Sequence, residues 1–363
     1  MATSSPSVSK QWLRGLFFVL MATLCLSLQN VLVKIAQSKT PFKIFSGLFP
    51  DGLFKLGGYV TPEILDPSNP LQVPLLILLI RISFVVPFLW MILPIVHEGA
   101  FSEARQVISG KDNSLKLRIV AAGSFLFLSQ MGIYLAIPLV GPGTAVTLFF
   151  IYPTVTTLLA WRLFGERPSL KQWLAIILIY MGCIWLTFPF LECVAPQLFE
   201  NAVCKPPVIK TEPFGILMAL ASGVVFAVEG ILAQSCFGKI SPPTFTGLVF
   251  TVEWVVLAIA AAFLVKFQVN SGLLLMGLLL CMATMSGYLF NNFGIKTIGA
   301  ASTSIIGSSG PAVTSLLSLL ILQDVLKIEQ WVAIAVVTIG VILMNLAKFQ
   351  TKSTLPNPIG TEK

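Results

Sequence analysis

Polar and apolar positions alternate along this chain on the scale of whole segments, not of residues. Ten stretches, near 12–35, 72–96, 118–138, 143–164, 172–192, 213–236, 245–266, 272–295, 300–322 and 330–348, are apolar nearly throughout, and short polar connections separate them. About 20 mostly apolar residues suffice to cross a bilayer as a helix. These runs are too long and too continuously apolar for barrel strands, and only helices or closed barrels satisfy their backbone groups in hydrocarbon. The pattern predicts an all-α membrane protein of ten transmembrane helices.

The apolar runs repeat. Gly141 falls on Gly299, Pro153 on Pro311, Gln172-Trp173 on Gln330-Trp331 and Gly182 on Gly340, all at one offset of 158 residues. The start of the chain repeats at a different offset, 199, which carries Ala22–Lys34 onto Ala221–Ala233. The excess lies mainly in residues 36–71, a long connection rich in Gly and Pro that is expected to form a partly ordered external cap. Five spans per copy is an odd number, so the second copy enters the membrane from the opposite side. The expected architecture is therefore a pair of inverted five-helix repeats, the arrangement in which carriers commonly build a site near the bilayer midplane.

Composition agrees with the segment pattern: 56% of residues are hydrophobic, 10% are charged and the mean hydropathy is +0.90. The net charge of +8 is spread over short connections and does not form a nucleic-acid-binding face. With ten spans and a cytoplasmic start, 14 Lys and Arg fall inside and 8 outside, which favours both termini in the cytoplasm of a plasma (inner) membrane protein. Lys10 and Arg14 before Gly15–Leu28 resemble a signal peptide, but the apolar run continues to Val33 without a small-residue cleavage site, so it reads as an uncleaved first span.

Ile151-Tyr152-Pro153, then Leu163-Phe164-Gly165-Glu166-Arg167-Pro168-Ser169, then Gln172-Trp173 and Gly182 resemble the EamA-type repeat of the drug/metabolite transporter superfamily. The second copy departs from it at Gln323-Asp324-Val325-Leu326, which keeps an acid but lacks the Arg and Gly. The resemblance implies a first EamA-like repeat over 12–192, an external linker over 193–212 and a second repeat over 213–348, between cytoplasmic tails 1–11 and 349–363. It implies a carrier of a small polar or amphipathic metabolite, such as an amino acid or related compound, more often moved outward, in a membrane of lipids and with protons as a candidate co-substrate. No cofactor is implied. Passive facilitation, a membrane enzyme and a receptor or assembly protein are the rival readings.

Ionisable side chains inside a span are costly and normally face a cavity or a partner. Arg81, Glu229 and Glu253 are in that position. Arg81 is a candidate to hold a carboxylate or phosphate through its planar fork, or else to pair with one of the acids. Glu229 matches Asn30 at the 199 offset, so both copies place a polar group at one point of their first helix; burial disfavours its charged form, which makes it the candidate coupling group. Glu253 beside Trp254 suits a cationic or aromatic ligand, the alternative being that Trp254 packs against lipid or neighbouring helices.

The run Gly307-Ser308-Ser309-Gly310-Pro311 is the most helix-breaking part of the membrane sequence. Gly310, Pro311 and the matched Pro153 are candidate hinges, Ser308 and Ser309 candidate ligand contacts, and Tyr152 a candidate to fill the space that the serines leave. Gln130, Tyr134, Asn291 and Asn292 complete the expected cavity, with Tyr134 matching Asn292, although for each the alternative is a hydrogen bond that only holds the bundle together. A single histidine, His97, argues against HExxH and His-based triads, and no metal site is expected. Cys25, Cys183, Cys236 and Cys281 read as small apolar fillers, while Cys193 and Cys204 share an external loop where a disulfide could form.

Overall fold

A computed structural model describes residues 6–44, 54–60, 69–165, 167–194, 208–236, 239–265, 268–324 and 326–353. The chain is mostly helical. In order the elements are α1 (Pro6–Ala36), β1 (Pro41–Ile44), β2 (Phe54–Gly57), α2 (Gln72–Val96), α3 (Ala100–Ser109), α4 (Asn113–Val140), α5 (Pro142–Phe149), α6 (Tyr152–Phe164), α7 (Leu170–Val194), α8 (Val208–Cys236), α9 (Pro242–Leu264), α10 (Ser271–Gly307), α11 (Gly310–Leu322) and α12 (Ile328–Ser353). Among the described residues, eight helical stretches are long and apolar enough to cross a membrane: Trp12–Ala36, Gln72–Val96, Asn113–Val140, Pro142–Leu163, Pro213–Cys236, Pro242–Leu264, Ser271–Asn291 and Ile328–Leu346. Leu170–Leu186 and Gly310–Leu322 are shorter apolar helices at the places of the fifth and ninth expected spans.

Four features differ from the sequence pattern. The expected insertion at 36–71 contains an antiparallel hairpin, with Phe42 opposite Leu56, so the chain is not purely helical. Helix α3 occupies what reads as a polar connection, because Ala100 and Ala104 find a buried side there. The expected boundary between the eighth and ninth spans, near residues 296–299, is helical: α10 runs to Gly307, and the break falls at Ser308-Ser309. The fourth span is likewise two helices, broken between Phe149 and Tyr152. These two breaks correspond at the 158 offset, and each is followed by a helix carrying Pro in its first turn, Pro153 in α6 and Pro311 in α11. Proline lacks an N–H and has φ preset for a helix start, so it fits where a helix begins and disrupts one that tries to continue through it.

Packing is organised across the chain's two halves. The most extensive contacts are α1 with α10, α4 with α8 and α7 with α12, and α2 packs on α9 and α5 on α11. Polar pairs stitch these contacts. Ser129 and Ser222 each donate to the other's backbone carbonyl, at 3.0 and 2.7 Å. Trp254 Nε1 donates to Ser83 Oγ at 3.0 Å, and Trp90 Nε1 to Thr251 Oγ1 at 2.9 Å. Outside the spans, Glu103 of α3 accepts from the Ser241 hydroxyl and backbone N–H at the start of α9, while His97 Nε2 lies 3.2 Å from the same carboxylate.

Candidate functional site

A cavity of about 270 Å³ lies in the middle of the bundle, walled by α1, α2, α4, α5 and α6 from one half and α8, α10 and α11 from the other. Of the residues singled out from the sequence, Asn30, Arg81, Gln130, Tyr134, Tyr152, Asn291 and Gly310 lie on its wall. Each arrives there through helix spacing. On α4, Leu126, Ser129, Gln130, Ile133 and Tyr134 form one stripe at i, i+3, i+4 intervals, and on α1 Ala22, Leu26, Gln29 and Asn30 form another.

Arg81 is the cationic residue of the wall and is 2% exposed. Its Nη1 donates to Tyr134 Oη at 2.8 Å and its Nη2 to Gln130 Oε1, which anchors the guanidinium against α4. Nε has no hydrogen-bond partner. Opposite in character is an aromatic group: the Tyr152 and Phe226 rings meet edge-on with centroids 5.0 Å apart, and Phe149 lies 5.3 Å from both. Offset and edge-to-face rings at such spacings pack favourably and leave an apolar, polarisable surface. The remaining polar groups are largely engaged: Asn30 Nδ2 donates to Leu26 O at 3.1 Å, and Thr284 Oγ1 to Gln29 Oε1 at 2.7 Å. Among the described residues, no group of three or more His, Cys, Asp or Glu gathers.

Several expected residues lie elsewhere. Trp254 is 39% exposed on the outer side of α9, where its indole N–H is taken up by Ser83. The α9 helix contributes no side chain to the cavity wall, although the seventh span is expected to line it. Ser309 turns its hydroxyl back onto Ile306 O at 2.8 Å, and Ser308 is bonded by Asn345 of α12. Phe150, not Tyr152, takes the space beside Gly310, where a Cβ would meet its Cζ at 3.0 Å. Glu229, Glu253, Pro153 and Pro311 are not among the residues of the wall. The Asn292 side chain, Glu166 and the Cys193–Cys204 pairing lie outside the described residues. Cys25, Cys183, Cys236 and Cys281 are free thiols.

The wall also contains residues that do not stand out in the sequence, among them Gln29, Phe149, Phe226, Thr284 and Tyr288. Three had a usable signal: Gln29 is itself an amide inside the first span. Phe226 precedes Glu229 by three positions, and Tyr288 precedes Asn291 by three, so each lies on the same helix face as a polar residue in a span. Phe149 and Thr284 are ordinary residues for an apolar helix.

The model of the EamA-like transporter family matches residues 68–188 and 213–346. The Synechocystis protein sll1319, an uncharacterized transporter, is 31% identical over 342 residues, which cover 93% of this chain and 94% of its own. YwfM of Bacillus subtilis, also an uncharacterized transporter, is 22% identical over 206 residues, 55% of this chain and 63% of its own. A solved crystal structure overlaps 95% of this chain and 99% of its own at 15% identity and a TM-score of 0.46.

Proposed function

The chain belongs to the EamA-like transporter family, and from that premise we infer that it is a secondary carrier moving a small polar or amphipathic metabolite by alternating access. The observation that carries this reading is the central cavity, built jointly by the two halves and lined by one buried cation, several amides and an aromatic cluster. A site formed between two halves can be exposed to either side by rocking one half against the other, with no need to move the site itself.

The proposed architecture is ten spans in two inverted repeats, 12–192 and 213–348, with both termini cytoplasmic in a plasma (inner) membrane. The pairing of elements supports it. If α1 corresponds to α8 and α4 to α10, the contact of α1 with α10 becomes that of α8 with α4, while α2 with α9, α5 with α11 and α7 with α12 exchange within themselves. The helix breaks before Tyr152-Pro153 and Gly310-Pro311 are the proposed hinges, because a chain already interrupted there can bend without losing further helix hydrogen bonds. Outward transport follows from the family resemblance. Glu229 and Glu253 are the candidate groups for coupling transport to protons.

Counterflow in proteoliposomes tests the reading. Internal unlabelled cargo should drive entry of the same labelled cargo, across a panel of amino acids, nucleosides, sugar phosphates and organic cations. Saturable exchange for one chemical class supports a carrier; a folded preparation that exchanges nothing across the panel overturns it.

A further inference from the structure

Among the described residues, no carboxylate touches the buried cation Arg81. Their ion pairs are His97 with Glu103 and Lys239 with Asp112, both outside the spans, and the guanidinium bonds to Tyr134 and Gln130 instead. The Tyr134 ring, 5.5 Å from Cζ, and those two bonds hold the group in place without bringing a carboxylate to it. Each Nη spends one N–H there and keeps its second, and Nε keeps its own. A charge this deep in an apolar bundle, with donors unspent, is costly until something supplies the missing negative charge. Thr314 Oγ1, on the wall from α11, is likewise buried without a partner.

The rest of the wall constrains that missing partner. Among the described residues it carries no Asp or Glu, so an ammonium group would meet hydroxyls, amide oxygens and ring faces, and a zwitterion would leave half its charge uncompensated. A phosphate monoester brings a charge of about −1.5 to −2 near neutral pH, more than one guanidinium offsets. A carboxylate brings a single charge, and its two oxygens suit the planar fork. The Tyr152, Phe226 and Phe149 rings, with centroids 5.0 to 5.3 Å apart, offer a flat apolar body the offset and edge contacts that aromatic groups prefer. At about 30 Å³ per water, a cavity of about 270 Å³ holds on the order of nine, which admits one ring with a short arm and not a nucleotide.

We propose that the cargo is an aromatic monocarboxylate, an acid without the ammonium group of an amino acid: its carboxylate takes the unspent N–H groups of Arg81, and its ring lies against Tyr152, Phe226 and Phe149. Wall and cargo together then carry no net charge, which lowers the cost of the buried cation while the halves rock. This rests on the carrier reading and adds to it the charge and the shape of the cargo. Arg81 reads the charge and Phe226 the body, so the two contributions separate by experiment.

The test uses the full chain in lipid nanodiscs with radiolabelled 3-phenylpropionate, and empty nanodiscs are subtracted for uptake into lipid. Unlabelled 3-phenylpropionate, 3-phenylpropanol, phenylalanine and propionate compete in turn, which varies the charge, the ammonium group and the ring. The aromatic acid should displace the label at least about tenfold better than each of the other three. Direct titration with labelled acid and labelled alcohol reads the variants. In Arg81→Gln the acid should bind within about twofold of the alcohol, whereas in Phe226→Ala both should weaken about tenfold and keep their ratio. The ratio is the measure because a merely structural loss lowers both ligands alike. Should Arg81→Gln fail to fold, the wild-type series still decides the charge and the ring. Equal binding of the alcohol, of phenylalanine or of propionate overturns the proposal, as do a ratio that survives Arg81→Gln, unchanged binding in Phe226→Ala, or no binding of the label to folded wild type. Counterflow with 3-phenylpropionate added to the panel keeps the two readings apart. Exchange of another class without binding of 3-phenylpropionate overturns this inference and leaves the carrier standing; no exchange of any member overturns the carrier reading, even where the acid binds.

Discussion

Gly182 on α7 and Gly340 on α12 each pack against the backbone of the helix that carries the other. A Cβ at Gly182 would stand 2.5 Å from Val337 Cγ2 and 3.1 Å from the Ala333 carbonyl oxygen; one at Gly340 would stand 2.8 Å from Ile179 Cγ1 and 3.2 Å from the Ala175 carbonyl oxygen. Ala175, Ile179 and Gly182 become Ala333, Val337 and Gly340 at the offset of 158, so the two contacts interchange under the repeat. Small residues let membrane helices approach to backbone contact, where packing replaces the absent hydrophobic drive. Gly182→Leu and Gly340→Leu should each destabilise by about 1–3 kcal/mol through overpacking. Thermal unfolding in detergent should show similar losses for the two; a loss in one alone would argue against their equivalence.

At the end of α11 the second copy departs from the first. Gly165 closes α6 at φ 73°, a left-handed position natural to glycine, while its counterpart after α11 is Gln323 at φ 57°. A side chain with a Cβ costs about 1–2 kcal/mol in that region. Gln323→Gly should therefore raise the unfolding temperature while leaving counterflow unchanged, and a lowered temperature would mean that the Gln323 side chain contributes more than its backbone strain costs.

Trp254 holds α9 to α2 through Ser83 and does not face the cavity. Trp254→Phe and Ser83→Ala should each cost about 0.6 kcal/mol, the usual size of an interhelical hydrogen bond in a membrane protein, and the double variant little more than either alone. Cargo affinity should stay within about twofold. A tenfold loss of affinity in Trp254→Phe would place the indole in the cargo path.

Glu103 gives the protein a pH-dependent brace between α3 and α9. The Ser241 hydroxyl bond foremost, helped by Thr244, His97 and the Ser241 backbone N–H, lowers its carboxyl from the ordinary 4.5 to about 2. Because the folded state holds the proton less tightly, the stabilisation is complete above the ordinary carboxylate value and fades as the pH falls from there toward 2. The difference in unfolding temperature between wild type and Glu103→Ala should be constant near neutrality and shrink on acidification below about pH 4.5. A gap that stays constant down to pH 3 would remove the carboxylate from the account.

Phe226 closes the aromatic side of the cavity against Tyr152 and Phe149. Phe226→Ala removes that surface and widens the cavity, and should weaken a cargo with an apolar body by about tenfold, roughly 1.4 kcal/mol. Equilibrium binding of the cargo identified by counterflow measures it, with Phe18→Ala, on the stacked pair with Phe290, as a control that should change affinity little.

Part of the site could be read without coordinates. A charge or amide inside an apolar run costs too much to be accidental, so Arg81, Asn30, Gln130 and Asn291 were conspicuous, and all four lie on the cavity wall. Trp254, singled out as the neighbour of Glu253, and Ser309, singled out within the helix-breaking run, lie elsewhere, because a polar atom in a span is satisfied equally well by a neighbouring helix or by its own backbone turn. The helix breaks were legible near Pro153 and Pro311, since proline removes a backbone donor wherever it stands. That α10 would run on to Gly307 was not, because Lys296 and Gly299 look like a connection when read locally.

The membrane class, the near positions of the apolar helices and the internal repeat were properties of the sequence itself, because each depends on residues close together in the chain or on a constant offset between two stretches. Which helices pair, and which face of each turns to the cavity, were decided by tertiary structure. A helix in lipid is apolar on every side, so its pattern does not distinguish a face against lipid from a face against protein. Glu229 matches Asn30 in the repeat, yet only Asn30 lies on the wall, because the two halves donate different side chains to a cavity that the repeat alone would make symmetric.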